Sequence, residues 1–416
     1  MKVLFINKYD ITGGAGIVAT RLQHSLQKIF RIECRSIVGV KHSDEQNVFC
    51  SRKSTFKGIV ERGLNIILNQ MGIQYWWLPL STPEIRKRTI DFSPDVISLH
   101  NIHGGYFDTS LLIELSRIAP IVWTLHDMWA FTGNAAHTFG DTAWRQMKAC
   151  HGERHRFPRI GLPTGSWLLR RKKNIYQNSR LTIVTPSQWL FSQASTAPVF
   201  MSKEIVRIPN GIDLALFRPQ KEEARRVLNI PQNASVLLFT AEKLTGNEYK
   251  GGERLIDILR IVNNKVTTKV HLLVVGKGNI RQLNEFKNLT VHAAGYIHDE
   301  KMMAHCYSAS DLFVYPTQAD TLPNALIESI ACGTPAITND IGGCGEIIKN
   351  GYNGYLVPPD ATQLFAEHIL TMIQDFENRQ KYSIQTRSFA KKHFSLKSMA
   401  KAYYSLFEKV IERSIE

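Results

Sequence analysis

Short, uninterrupted apolar runs rich in β-branched residues alternate with helical patterns along almost the whole chain. A first series comprises Val3–Ile6, Val96–Leu99, Ile121–Leu125, Leu181–Thr185 and Ile205–Ile208. A second comprises Val236–Thr240, Val270–Val275, Thr290–Ala293, Leu312–Tyr315 and Ala336–Thr338. A strand that is apolar at every position, not at every second one, is buried on both faces, which requires a parallel sheet covered by helices on each side. Two series therefore predict an α/β protein of two doubly wound, Rossmann-like domains. At 416 residues the chain is also too long for one ordinary core. Turn chemistry at Pro209-Asn210-Gly211-Ile212-Asp213 marks the junction. The division is a first domain over 1–205 and a second over 206–395. In the segment 396–416, Met399, Tyr403, Leu406 and Val410 recur at helical spacing, which predicts an amphipathic helix packing back on the first domain.

Charge narrows the partners. Lys and Arg total 51 against 36 Asp and Glu, a net +15 with a pI near 9.5, which favours nucleic acid, an anionic membrane surface or phosphorylated small molecules. No RRM, KH or zinc-finger pattern accompanies the charge, so nucleic acid is not an expected partner. The six cysteines have no paired spacing and suit reduced thiols of a cytoplasmic protein. No window approaches the roughly 18 uninterrupted apolar residues of a membrane span. Attachment to the inner face of the cytoplasmic membrane stays open. Phe56, Ile59, Val60, Leu64, Ile67 and Met71 form a helical apolar stripe with Lys57 and Arg62 beside it, followed by Tyr75-Trp76-Trp77. Trp167-Leu168-Leu169 likewise precedes Arg170-Arg171-Lys172-Lys173. Such segments suit a membrane interface, or equally a core-facing helix beside a solvated charge run.

Two strand-to-helix turns carry candidate chemistry. The first strand runs into Thr12-Gly13-Gly14-Ala15-Gly16, and Val18, Leu22, Leu26 and Ile29 mark one face of the helix that follows. Glycine lets backbone amides approach an anion at a helix N-terminus. The spacing is not the dinucleotide fingerprint, and no acid ends a recognisable second strand. Later, Leu312–Tyr315 leads through Asp320 to Pro323-Asn324-Ala325, where proline suits the first turn of a helix. Asn324 and Ala325 then offer amides to a phosphate, and Glu328 lies about a turn further on. Cys150, His151, His155 and His137 match no zinc spacing, and the stretch 132–159 reads as a long variable loop.

The order of these motifs resembles the family 4 glycosyltransferases of the GT-B fold. The resemblance rests on Pro209–Asp213, Lys250-Gly251, the acids Asp320 and Glu328 before Ala331-Cys332-Gly333-Thr334-Pro335, and Ile341-Gly342-Gly343 through Glu346 to Asn353-Gly354. The first domain adds the glycine turn and Thr124-Leu125-His126-Asp127, and the version Leu322-Pro323-Asn324 is most similar to the branch that builds bacterial capsular and exopolysaccharide repeats. The resemblance implies a GT-B architecture with an interdomain cleft and a retaining hexosyl transfer from a UDP- or GDP-sugar to a glycan or lipid-linked acceptor. No cofactor or metal is implied.

The same resemblance gives residues their roles. His126, Asp320 and Lys250 are catalytic. Gly14, Ala15, Gly16, Asn210, Lys243, Lys250, Pro323, Asn324, Ala325 and Glu328 bind the nucleotide sugar. Asp320 stands where the family usually has glutamate, and Ala241-Glu242-Lys243 replaces the usual Gly-Arg, leaving Lys243 as the second phosphate cation. Two rivals remain: a nucleotide-sugar epimerase of the same fold, and a non-catalytic basic protein binding membrane or nucleic acid.

Overall fold

The computed structural model describes residues 1–52, 55–244, 246, 249–278 and 281–415. The chain forms two compact units, Met1–Gly211 with Leu396–Glu416, and Ile212–Ser395.

The first unit holds seven strands: β1 (Lys2–Tyr9), β2 (Glu33–Val40), β3 (Val48–Cys50), β4 (Val96–Leu99), β5 (Ile121–Thr124), β6 (Leu181–Thr185) and β7 (Glu204–Arg207). All pair in parallel, in the order β3-β2-β1-β4-β5-β6-β7. Alternate residues of β1 show why the strand is apolar throughout. Leu4 and Ile6 pack into one core with Ile97, Leu99 and Trp123, while Val3 and Phe5 enter another with Val18, Leu22 and Leu26. The closing helix Leu396–Ile415 completes that second core with Tyr403 and Phe407. The Tyr403 hydroxyl lies 2.8 Å from Thr124 Oγ1, and Tyr404 stacks on Phe30 at 4.3 Å.

The second unit holds β8 (Ser235–Lys243), β9 (Val270–Lys277), β10 (Leu289–Gly295), β11 (Leu312–Tyr315), β12 (Ala336–Asn339) and β13 (Gly354–Val357). They are again parallel, in the order β10-β9-β8-β11-β12-β13. Phe313 and Leu238 serve one core of this sheet, and Leu312, Val314 and Leu237 the other. Strand order reverses between β1 and β4 in the first sheet and between β8 and β11 in the second. Crevices open at the carboxyl ends of strands at such points.

Several local expectations change. A second strand, β2, does follow the glycine-turn helix; its Glu33, Arg35 and Ser36 break the apolar run that would have revealed it. Ile29 is exposed, and the face carried by Leu22 and Leu26 continues at half-buried Phe30 instead. The stretch 132–159 is packed. Buried Glu153 accepts the amides of Asn134 (2.7 Å), Ala135 (3.3 Å) and Cys150 (2.7 Å). Buried Lys172 donates to the carbonyls of Trp129, Thr132 and Gly133 at 2.5–3.1 Å. Lys172 is therefore not part of a solvated charge run. The stripe from Phe56 to Met71 does not face a core either: Phe56, Ile59, Val60, Ile67 and Met71 are all exposed. The side chain of Lys57 lies outside the described residues. All six cysteines are unpaired, and all but Cys50 are buried.

Candidate active site

In the second unit the loops after β8 and β11 are tied together. Thr317 Oγ1 and the Gln318 amide both donate to Tyr249 O, at 2.9 and 2.8 Å. Gly251 makes the approach possible: at φ +67° it caps the helix Gly252–Lys265, and a Cβ there would lie 1.9 Å from Pro316 O. Lys250 is thereby delivered to the acid of the neighbouring loop. Its Nζ donates to Asp320 Oδ2 at 2.8 Å and to the Tyr315 hydroxyl at 2.9 Å. The same oxygen accepts from Tyr315 at 2.6 Å and from Thr317 Oγ1 at 3.1 Å. Lys250 and Tyr315 thus converge on Oδ2, with the Thr317 hydroxyl sharing its one proton between this oxygen and Tyr249 O, and Oδ1 has no hydrogen-bond partner among the described residues. Burial, with the Asp320 charge beside it, raises the Tyr315 phenol well above its ordinary range, so it stays a donor. Gly342 packs its Cα against this loop; a Cβ there would meet Asp320 O at 1.7 Å.

The helix Asn324–Ala331 opens immediately beyond. Pro323 (φ −68°, ψ 115°) stands one residue outside it as the cap, not within its first turn. Its carbonyl accepts from Leu326 and Ile327, at 3.1 and 3.3 Å, so Asn324 and Ala325 occupy the first turn at the carboxyl end of β11. Glu328 is buried, and Tyr307 donates to its Oε2 at 3.1 Å; it is not a solvated surface glutamate. Lys243 ends β8, exposed, in register with Lys277 at the end of β9. Lys277 lies over the Tyr296 ring at 4.5 Å. Two lysines thus flank the carboxyl ends of adjacent strands, and the second was not anticipated.

In the first unit the helix Gly13–Phe30 begins in the glycine turn, with Gly14 and Ala15 in its first turn and Gly16 buried. Asp10, ahead of the turn, accepts the amides of His42 (2.9 Å) and Ser43 (2.8 Å). Burial opposes that charge, but the Ser43 and His42 hydrogen bonds hold the Asp10 carboxyl below its usual range. Asn210 is buried at the end of this unit's main segment.

His126, just past β5, belongs to a cluster that its motif alone did not disclose. Its Nε2 lies 2.9 Å from His100 Nδ1, and the rings stack at 5.2 Å. Burial pushes His126 down to about 4, and burial with His126 alongside takes His100 well below its ordinary value. Their lowered basicity leaves both rings neutral near pH 7, and one nitrogen of the pair accepts the proton that the other donates. Asp127 Oδ2 accepts from His103 Nε2 at 2.7 Å, and its Oδ1 from the Trp129 amide at 2.9 Å. Burial opposes the Asp127 charge, yet His103 holds the carboxyl low. His103 Nδ1 is buried without a partner among the described residues. A cavity of about 10 Å³, near the minimum for one water, is lined by His100, His103, His126 and Asp127.

Beside this cluster, Lys8 near the end of β1 docks on Gly104 O and Arg52 on Gly105 O. Burial, reinforced by Arg52 and Arg62, lowers Lys8 to about 8. Among the described residues no three His, Cys, Asp or Glu side chains group as metal ligands would.

This geometry, a cation held beside an acid and a helix N-terminus at a strand-order reversal, agrees with two family models. Residues 12–216 match "Glycosyltransferase Family 4", and residues 234–375 match "Glycosyl transferases group 1". The chain belongs to glycosyltransferase family 4.

Solved structures place this glycosyltransferase in the GT-B fold. Sucrose-phosphate synthase of Thermosynechococcus elongatus superposes with a TM-score of 0.71 over 99% of both chains, at 16% identity. Anabaena HepE, solved with UDP, gives 0.67 over 98% of this chain and all of its own, at 17% identity. Among curated relatives, an uncharacterized glycosyltransferase of Methanocaldococcus jannaschii is 25% identical over 39% of this chain and 43% of its own. The GDP-mannose-dependent alpha-(1-6)-phosphatidylinositol dimannoside mannosyltransferase of Mycobacterium tuberculosis is 29% identical over 34% of this chain and 37% of its own. The glycosyltransferase thus spans about two-fifths of the length of these curated relatives.

Proposed function

We propose that the enzyme is a retaining, metal-independent transferase that moves a hexosyl group from a UDP- or GDP-sugar to a glycan or lipid-linked glycan in surface-polysaccharide assembly. The observation that carries this reading is Lys250, held at 2.8 Å from Asp320 beside the N-terminus of Asn324–Ala331. Transfer breaks the bond between the anomeric carbon and the diphosphate. The acceptor oxygen bonds to the same face of that carbon, and its proton leaves with the diphosphate. Negative charge grows on the leaving group as the carbon becomes cationic, and fixed donors aimed at that charge are the largest catalytic term in such sites. Lys250 and the amides of Asn324 and Ala325 supply those donors in the second unit, with Lys243 a further cation and Pro323 setting the start of the helix. Glu328, buried and oriented by Tyr307, accepts from the ribose hydroxyls. Asp320 Oδ1 accepts from a donor-sugar hydroxyl.

The Gly14–Gly16 turn, Asn210 and the neutral imidazole of His126 are the first unit's contribution to donor and sugar. Because cations and amides stabilise the diphosphate, the reaction needs no divalent ion. Relatives support the substrate class: one is named for GDP-mannose and a phosphatidylinositol acceptor, and HepE is solved with UDP-glucose. A lipid-linked acceptor sets the enzyme at the inner face of the cytoplasmic membrane. The test is a panel of UDP- and GDP-sugars, with nucleoside diphosphate release measured with and without polyprenyl-linked acceptors. Acceptor-dependent release that preserves anomeric configuration supports the proposal. Isomerised free sugar from donor alone refutes it.

A further inference from the structure

The helix Thr55–Gln70 is amphipathic in the inverse sense: its one acid, Glu61, points inward and its apolar face outward. Glu61, fully buried, accepts from Arg52 Nε at 2.6 Å and from the amides of Leu80 and Ser81 at 2.9 Å each. Those bonds fix the inner face. On the outer face Phe56, Ile59 and Ile67 are exposed to 74, 59 and 59%. Exposing such a row costs solubility unless something covers it.

The row continues past the helix. Gly161 and Leu162 donate backbone hydrogen bonds to Asn69 O and Gln70 O at 2.9 and 3.1 Å, and Thr164 Oγ1 donates to Gly72 O at 2.6 Å. These bonds seat the start of the helix Gly165–Gln177 against the end of the first one. Trp167 thereby comes within 6.0 Å of Trp76, ring to ring, with Trp77 exposed next to it.

Charge names the occupant. The segments 56–77 and 160–173 contain one acid, Glu61, and it is buried. The basic side chains of Arg62 and Arg170 are exposed, and Arg171 lies 4.9 Å over the Trp76 ring. Asp108, which accepts the Trp77 amide at 3.0 Å and pairs with Arg171 at 3.8 Å, is buried, so an apolar face with indoles at its margin and exposed cations beside it matches the layers of an anionic bilayer: acyl chains, interface, phosphate headgroups.

We infer that Thr55–Gln70 and the indoles of Trp76, Trp77 and Trp167 form a surface that lies on an anionic lipid bilayer. The inference rests on the membrane setting given above but not on the donor chemistry. Its test is flotation of the full chain with vesicles of equimolar phosphatidylglycerol and phosphatidylcholine, comparing wild type with Ile59→Glu/Ile67→Glu. Ile384→Glu serves as control, since Ile384 is 73% exposed but lies in the second unit. The double variant should lose about tenfold or more of the vesicle-bound fraction, because charge replaces two inserted side chains. The control should bind as wild type does, and salt should weaken binding of both.

Equal binding by the double variant, or no binding by wild type, overturns the inference. So does a wild-type dimer in lipid-free buffer that the same two substitutions convert to monomer, since a second copy would then be the occupant. Thermal unfolding checks that the variants fold. Nucleotide release without vesicles reports on the transferase reading separately.

Discussion

Replacing Lys250 with methionine keeps the length and apolar stem of the side chain while removing its charge. In the free enzyme the loss should be small. The pair with Asp320 is partly exposed, 29% for the lysine and 17% for the aspartate, and solvent screens it. Tyr315 and Thr317 still donate to Asp320 Oδ2. A cost of about 1 kcal/mol follows, which lowers the melting temperature of a unit of this size by about 2–4 °C. In the transition state the loss should be larger, because the cation is aimed at charge that develops only there. A preorganised donor of this kind is worth about 3–4 kcal/mol, or roughly two to three orders of magnitude in kcat.

The gap between those two figures separates a lysine that grips the leaving group from one that merely holds a loop. The assay is nucleoside diphosphate release from the best donor of the panel, with melting temperature measured in parallel. Lys250→Met/Asp320→Asn sharpens it. If the lysine only neutralises the aspartate, removing both charges restores turnover. If the lysine serves the diphosphate, the double variant is at least as slow as the single one, since Asp320→Asn also weakens the contact to the donor sugar. Turnover in Lys250→Met within about threefold of wild type, or rescue by the second substitution, would refute the reasoning.

Glu328→Gln should weaken UDP or GDP binding by about tenfold, as a charge-assisted hydrogen bond becomes a neutral one; ligand-induced thermal stabilisation reads this, and an unchanged shift removes the ribose role. Saturating EDTA should leave turnover within about twofold, and a tenfold loss would show that a divalent ion takes part. Folded His126 resists protonation until about pH 4, whereas the unfolded chain takes up that proton near 6.5. Stability should therefore fall as pH drops from 6.5 to 4, by about 3 kcal/mol at most. His126→Gln should flatten that slope in acid denaturation, and an identical slope would remove His126 as its source.

The sheets were legible because strands buried on two faces leave unbroken apolar runs, as in Val3–Ile6 and Leu312–Tyr315. β2 was hidden because three of its first four residues are polar, and β3 because three residues carry no period. Lys250, Asp320 and Glu328 could be named from ordered motifs. Their partners could not: Tyr315 and Tyr307 look like core aromatics, and only the fold brings their hydroxyls to Asp320 and Glu328. The His100–His126 and His103–Asp127 pairs join residues more than twenty positions apart on adjoining strand ends. The outward apolar stripe was read equally well as core, since periodicity gives a face but not its direction. What decides the direction is Glu61, whose burial turns the helix over.

The return of Leu396–Ile415 to the first unit has a bearing on biogenesis. Val3 and Phe5 leave the ribosome about four hundred residues before Tyr403 and Phe407, which share their core. During synthesis the amino-terminal sheet must wait with that face uncovered while the whole second unit is made. Chaperone dependence and sensitivity to premature termination should therefore concentrate on the first unit, although the residues that close its core are encoded beyond the whole second unit.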